Sequence, residues 1–188
     1  MDLHFITSNK GKIEYLYNAL LGVDINVLSR NLNITEIQSD SFEEVSKDKA
    51  IKAFNILKKP LVVEDGGICL NVCNGLPGVF TKYVIKRLGI EGILKLLEGK
   101  DRKACLVSVA TYVDNNGDIK QFSNKTNIEI SETISTVESP IAWSSLWRIA
   151  NIKKLNKPLV ELNSEELKQF YRSGLGDFAN WLRQQRTK

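Results

Sequence analysis

An α/β domain built on a mixed sheet is what this chain predicts, on three observations. Apolar runs of strand length alternate with stretches whose apolar residues recur at helical spacing. One run, Leu61-Val62-Val63, has no polar alternation and reads as a strand buried on both faces. Two further runs flank the turn residues Asp114-Asn115-Asn116-Gly117-Asp118 as in a hairpin, so the sheet is not purely parallel.

Taken in order, residues 3–7 form a first strand, closed by the loop Ser8-Asn9-Lys10-Gly11. Ile13, Leu16, Tyr17, Leu20 and Leu21 then fall at i, i+3, i+4, i+7 and i+8, the apolar stripe of a helix. Residues 25–28 fit a second strand. Ser41, with Glu44 three residues on, has the form of a capping box. It opens a helix whose apolar face is Phe42, Val45, Ala50, Ala53, Phe54 and Leu57. Pro60 ends that helix, and the buried strand behind it stops at Glu64-Asp65-Gly66-Gly67. Ile68, Leu70 and Val72 alternate as in a half-buried strand, and Asn74-Gly75-Leu76-Pro77-Gly78 is a turn cluster. A helix over 90–97 is stopped by Gly99. The hairpin joins strands at 104–113 and 119–122, with another strand at 126–130. Beyond Pro140 the pattern weakens until helices at 164–171 and 175–186.

The composition excludes more than it specifies. The 188 residues carry 26 Lys+Arg and 22 Asp+Glu, a net charge of +4 with no basic arm or acidic tail, so nothing marks a nucleic-acid footprint. Arg183, Arg186 and Lys188 close the final helix, where cations suit its negative end. Trp181 is expected to pack with Phe178 and Leu182 rather than stack on bases. No stretch approaches the length of a membrane span and no secretory signal is visible. The expectation is one cytoplasmic domain over 1–188, without membrane or nucleic-acid partners. His4 is the sole histidine and sits in a strand, which removes histidine-rich metal sites and the HExxH helix. Cys69, Cys73 and Cys105 are too few for a four-cysteine zinc site and read as reduced thiols. Any chemistry must therefore run on carboxylates and Lys or Arg, with or without a hard metal.

Two loops could carry it. Ser8-Asn9-Lys10-Gly11-Lys12 lies between a strand and a helix N-terminus, where backbone N–H groups and the helix dipole favour an anion. It is neither a Walker A loop nor a GxGxxG turn, and the plain alternative is a helix start. Glu64-Asp65-Gly66-Gly67 lies at the end of a buried strand, where open α/β sheets bind ligands; the alternative is a solvated acidic turn. Neighbouring strand residues face opposite ways, so the two acids should not share one job. Lys47, Lys58 and Lys59 belong to the wet face of their helix.

Thr7-Ser8-Asn9-Lys10-Gly11-Lys12, Thr35-Glu36-Ile37-Gln38, Val63-Glu64-Asp65-Gly66-Gly67 and Asn74-Gly75-Leu76-Pro77-Gly78-Val79 together resemble the inosine triphosphate pyrophosphatase family. Glu91-Gly92-Ile93-Leu94-Lys95-Leu96-Leu97-Glu98-Gly99 also looks like that family. The resemblance runs from residue 3 to about residue 113. It implies an elongated α/β fold with a mixed central sheet flanked by helices, two lobes around a cleft, in a homodimer. It implies Mg2+-dependent hydrolysis of ITP, dITP or XTP to the monophosphate and pyrophosphate. Carried over by position, Thr7, Ser8, Asn9, Lys10, Gly11 and Lys12 would hold the triphosphate, joined by Lys49 and by Gly66. Glu36 and Asp65 would bind the metal. Asp65 would be the general base and Lys12 its catalytic partner.

The C-terminal part departs from the pattern. Where the family has Phe-Gly-Trp/Tyr-Asp-Pro, this chain has Ile141-Ala142-Trp143-Ser144-Ser145, keeping an aromatic platform at Trp143 with Ser144 in place of the aspartate. Where the family has Ser-His-Arg, it has Phe170-Tyr171-Arg172, so only Arg172 matches. Two alternatives follow: the same chemistry with altered base specificity, or a nucleotide binder without turnover.

Overall fold

The structure, a computed structural model, describes residues 1–186. Lys188 lies outside them. Among the described residues there are strands β1 (Asp2–Ile6), β2 (Asn26–Arg30), β3 (Leu61–Leu70), β4 (Lys103–Val113), β5 (Ile119–Ile130), β6 (Ala150–Ile152) and β7 (Lys157–Pro158). The helices are α1 (Lys10–Ala19), α2 (Phe42–Leu57), α3 (Thr81–Leu96), α4 (Ser164–Phe170) and α5 (Gly174–Arg186). The sheet order is β2-β1-β3-β4-β5-β6-β7. β1 runs parallel to β2 and to β3, while β5–β6 and β6–β7 are antiparallel, so the sheet is mixed. No helix is long and apolar enough to cross a membrane.

The chain divides into two compact units. One comprises Met1–Asp65, Ser108–Asn124 and the residues from Ser173 onward; the other comprises Gly66–Val107 and Lys125–Arg172. In the first, Leu61, Val62 and Val63 are fully buried, as a strand covered on both faces requires. Ile6, Leu61, Val63 and Val113 form a core cluster with Ala50 and Ala53 of α2. Phe178 of α5 packs on Tyr112 of β4 at 5.5 Å and on Phe122 of β5 at 5.7 Å between ring centroids. Trp181 joins that cluster 6.2 Å from Phe178, the expected packing role. Arg183 of α5 also reaches the first helix. Its guanidinium donates to the carbonyls of Ala19 and Leu21 at 2.8 and 2.9 Å and so caps α1, satisfying orphan helix carbonyls.

Several boundaries differ from expectation for identifiable reasons. The strand opening at Leu61 does not stop at Glu64; it runs unbroken to Leu70, and Val72 lies past its end, 41% exposed. Gly67 is what permits this, because a Cβ there would collide with the Gly78 carbonyl and the Thr81 side chain. Strands expected at 119–122 and 126–130 are one strand, β5. α3 begins nine residues before Ile90, with Gly89 at φ 68° interrupting its helical backbone. Before Ile90 only Thr81 of α3 is buried, and Tyr83 and Leu88 are exposed, so its first turns bury no apolar stripe. Along the stripe expected for α1 and its C-cap, Leu16 and Leu20 are buried, but Tyr17 and Leu21 are exposed. Ser41 caps α2 by accepting from the Glu44 N–H at 3.2 Å. The capping box is incomplete: the Glu44 carboxylate accepts from the Ser39 hydroxyl instead, and the Ser41 N–H donates to Ser39 Oγ. The complete box belongs to α4, between Asn163 and Glu166.

Candidate functional site

The predicted phosphate loop leaves β1 and enters α1. Thr7 Oγ1 accepts from the Asn9 N–H at 3.1 Å, and Asn9 Oδ1 accepts from the Lys12 N–H at 3.1 Å, so Asn9 is the N-cap. The loop thus orders its own backbone, with Gly11 buried and Ser8 and Lys10 exposed. Lys12, in the first turn, sends its ammonium to β3. It forms an ion pair with the carboxylate of Glu64 and lies 3.5 Å from the Glu64 carbonyl oxygen.

Glu64 is the residue that sequence reasoning left unassigned. It is 2% exposed, and its Oε1 accepts from the Ser108 hydroxyl at 2.8 Å. Ser108 Oγ in turn accepts from the Gly174 N–H, the first residue of α5, at 3.1 Å. Because Gly174 already donates to that oxygen, the Ser108 proton is directed at Glu64, and the partial positive charge of the α5 N-terminus reaches the carboxylate through it. Gly174 must be glycine, since a Cβ would meet the backbone of Phe122, Ala110 and Ser108. A polar Ser108 inside the apolar run of β4 was the available sequence signal, because a buried hydroxyl needs a partner. Next to this network, Tyr15 of α1 lies 3.2 Å from Ser173 Oγ, and burial pushes its phenol above the ordinary range.

Asp65 follows Glu64 on β3. Its Oδ2 is buried with no hydrogen-bond partner. Burial pushes its carboxyl above the ordinary carboxylate value, against the pull of Lys49 and then Lys12. Lys49 of α2 binds Glu36 Oε1 at 2.9 Å. Burial alone would lower the Lys49 ammonium, but Asp65, Glu36 and Glu64 outweigh it and hold it above its ordinary value. Glu36 itself lies in an exposed segment between β2 and α2. Lys12, Glu36, Lys49, Glu64 and Asp65 therefore act on one another within one unit. As expected, Lys47, Lys58 and Lys59 are exposed. Among the described residues no group of three or more His, Cys, Asp or Glu side chains forms a ready-made metal cage. Two oxygen-donor acids with an orphaned buried oxygen do suit Mg2+, which binds one or two carboxylates and keeps water and phosphate oxygens for the rest.

Gly66, Trp143, Ser144 and Arg172 belong to the other unit. Trp143 lies 6.1 Å from Trp147 and 5.8 Å, edge-on, from Tyr171; Trp147 and Tyr171 are 5.2 Å apart. Tyr171 is 6% exposed. It completes a three-ring cluster, where an imidazole would have offered ring nitrogens. Ser144 Oγ accepts from the Leu146 N–H at 3.2 Å, capping the short 3-10 turn Ser145–Arg148. The Arg172 side chain is exposed, and its backbone N–H and carbonyl both bond Thr126 Oγ1, at 3.1 and 2.9 Å.

Residues 3–168 match the Ham1 family. The chain belongs to the Ham1 family. Among Ham1 relatives, inosine triphosphate pyrophosphatase 2 of Trypanosoma cruzi is 37% identical over 145 residues, covering 76% of this chain and 72% of that protein. A dITP/XTP pyrophosphatase of Thermococcus kodakarensis is 32% identical over 187 residues, 98% of each chain. The solved HAM1 protein of Coxiella burnetii superposes with a TM-score of 0.80 at 18% identity, over 98% of this chain and 99% of that one, and so shares the fold.

Proposed function

We propose that this Ham1 protein hydrolyses non-standard purine nucleoside triphosphates (ITP, dITP and XTP) to the monophosphate and pyrophosphate, removing them from the nucleotide pool. The observation that carries the reading is full-length similarity to a protein named dITP/XTP pyrophosphatase, joined to the Lys12, Lys49 and Asp65 cluster. In this mechanism Thr7, Ser8, Asn9, Lys10, Gly11 and Lys12 receive the triphosphate, with Gly66 beside Asp65. Lys12 exchanges its Glu64 partner for phosphate oxygen, while Ser108 and the α5 N-terminus continue to hold the Glu64 charge. Lys49 supplies a second cation. Asp65, made more basic by burial, takes a proton from the attacking water as the oxygen joins phosphorus and the α–β bridging bond breaks. Glu36 and Asp65 would hold Mg2+, which supplies charge neutralisation to the developing pyrophosphate.

The match at residues 3–168 runs through both compact units, which supports one catalytic domain over 1–188. A homodimer is part of the proposal. Exposed Val72, Leu76, Phe80, Tyr83, Leu88 and Leu96, all in the Gly66–Val107 segment, are apolar side chains available to bury in it. Three free thiols and a nucleotide-pool substrate agree with a cytoplasmic setting, and no nucleic-acid or membrane partner is needed.

A second reading keeps the chemistry and relaxes the base preference. Trp143 is the proposed stacking platform, and Arg172 the remaining cation beside the base. Ser144 is committed to capping and Tyr171 to the aromatic cluster, which leaves fewer polar groups to discriminate bases. Pyrophosphate release from ITP, dITP, XTP and the standard triphosphates, each with Mg2+, separates the readings. Strong ITP preference supports the first, comparable rates on GTP support the second, and no release from any triphosphate removes both.

A further inference from the structure

We propose that Cys69 and Cys105 are an oxidisable pair that closes to an intramolecular disulfide, leaving Cys73 as the free thiol. The inference is independent of the nucleotide reading. Cys69 lies on β3 and Cys105 on β4, neighbours in the sheet and members of the same compact unit. All three cysteines are free, and the Cys69 and Cys105 thiols hydrogen-bond one another. Their side chains therefore share one face of the sheet. Neighbouring strands lie about 4.7–4.9 Å apart, and a disulfide spans a Cα separation of roughly 4.4–6.8 Å, so two facing cysteines on adjacent strands are within bridging range. Cys73 sits past the strand end, in the 3-10 turn Asn71–Cys73.

Exposure sets the order of events. Cys105 is 3% exposed, whereas Cys69 is half-buried and is the sulfur that solvent reaches. With hydrogen peroxide as oxidant, the Cys69 thiolate attacks a peroxide oxygen, the O–O bond breaks, and hydroxide leaves to take up a proton. Cys105 sulfur then attacks the Cys69 sulfenic sulfur, the S–O bond breaks, and water leaves with the Cys105 proton. The net change is two thiols and one peroxide to one disulfide and two waters. The groups acting on Cys69 set its speed. Burial, then Cys105 from β4, push its thiol up to about 11, while Lys125 from β5 pulls the other way. Thiolate is scarce near neutral pH, so the pair is a slow responder that resists mild oxidants.

The test treats the reduced full chain with excess hydrogen peroxide, denatures it in acid, and alkylates the remaining thiols for mass spectrometry. One alkylated cysteine and a peptide joined to the Cys105 segment are expected, reversed by dithiothreitol. No lysine or arginine separates Cys69 from Cys73, so variants assign the sulfur: Cys73→Ser retains the link, whereas Cys69→Ser and Cys105→Ser each lose it. Closure should quicken by roughly tenfold per pH unit between pH 7 and 9. A link through Cys73, a link between two chains, a sulfinate at Cys69 with Cys105 still alkylated, or three intact thiols after exhaustive oxidation would each overturn the proposal.

Discussion

Lys12 and Glu64, 52 residues apart in sequence, form an ion pair in which the Glu64 side chain is fully buried and that of Lys12 is 16% exposed. Glu64 is held on its other oxygen by Ser108, which is anchored by the first N–H of α5. The start of α1, the middle of β3, β4 and the start of α5 thus meet at one charge. Breaking one side of a buried pair strands the other charge, so Lys12→Ala should lower stability by about 3 kcal/mol in urea unfolding. Lys12→Met combined with Glu64→Leu should recover most of that loss. Equal destabilisation by the single and double variants would show that the pair carries no coupling.

Gly174 is predicted to tolerate no side chain. An added Cβ would meet backbone atoms of Phe122, Ala110 and Ser108, none of which can rotate away. Gly174→Ala should therefore cost about 2–3 kcal/mol or more, although alanine is the better helix former. A Tm at or above that of the parent would contradict the close approach of α5 to β4 and β5.

Ser108→Ala removes the hydroxyl that directs a proton to Glu64 and leaves the Gly174 N–H unsatisfied, a loss of about 1–3 kcal/mol. Glu64 then depends on Lys12 alone and releases it less readily. KM for ITP should rise more than kcat falls. An equal loss in both, or none, would detach Ser108 from substrate binding.

His4 gives a pH dependence of known sign. It is 8% exposed on β1, its Nδ1 has no hydrogen-bond partner, and burial, then Arg30, hold its pKa below 6.5. With the folded value depressed, the unfolded chain binds the proton more readily. The contribution of His4 is fully present above the unfolded value and is lost as pH falls below about 6.5. His4→Leu should flatten part of the fall in Tm between pH 7 and 5. Parallel Tm profiles for parent and variant would rule His4 out.

Much of this was legible in the sequence where local physics decides. The full burial of Leu61, Val62 and Val63, the Ser41 cap and the hairpin at Asp114 all follow from patterns a few residues long. What was not legible depends on contacts far along the chain. Glu64-Asp65-Gly66-Gly67 has the composition of a turn, but it continues a strand because Gly67 lets the residue 78–81 backbone lie against it. The start of α3 buries no apolar side chain and is separated by Gly89 from the half that does, so the packed half from Ile90 is the part the sequence marks. Lys12, Glu36, Lys49 and Asp65 were picked out by resemblance. Glu64 was not picked out as their partner, because its claim rests on Ser108 and Gly174, 44 and 110 residues further on.

Asp65, with its buried and unpartnered Oδ2, is the proposed base in hydrolysis of a non-standard purine triphosphate. The direct measurement is pyrophosphate release from ITP with Mg2+, by the parent and by Asp65→Asn, at matched folded concentration. The parent is expected to release pyrophosphate, and Asp65→Asn to lose at least about 10²-fold in kcat. Absence of release by the parent, or an Asp65→Asn variant as active as the parent, would contradict that role.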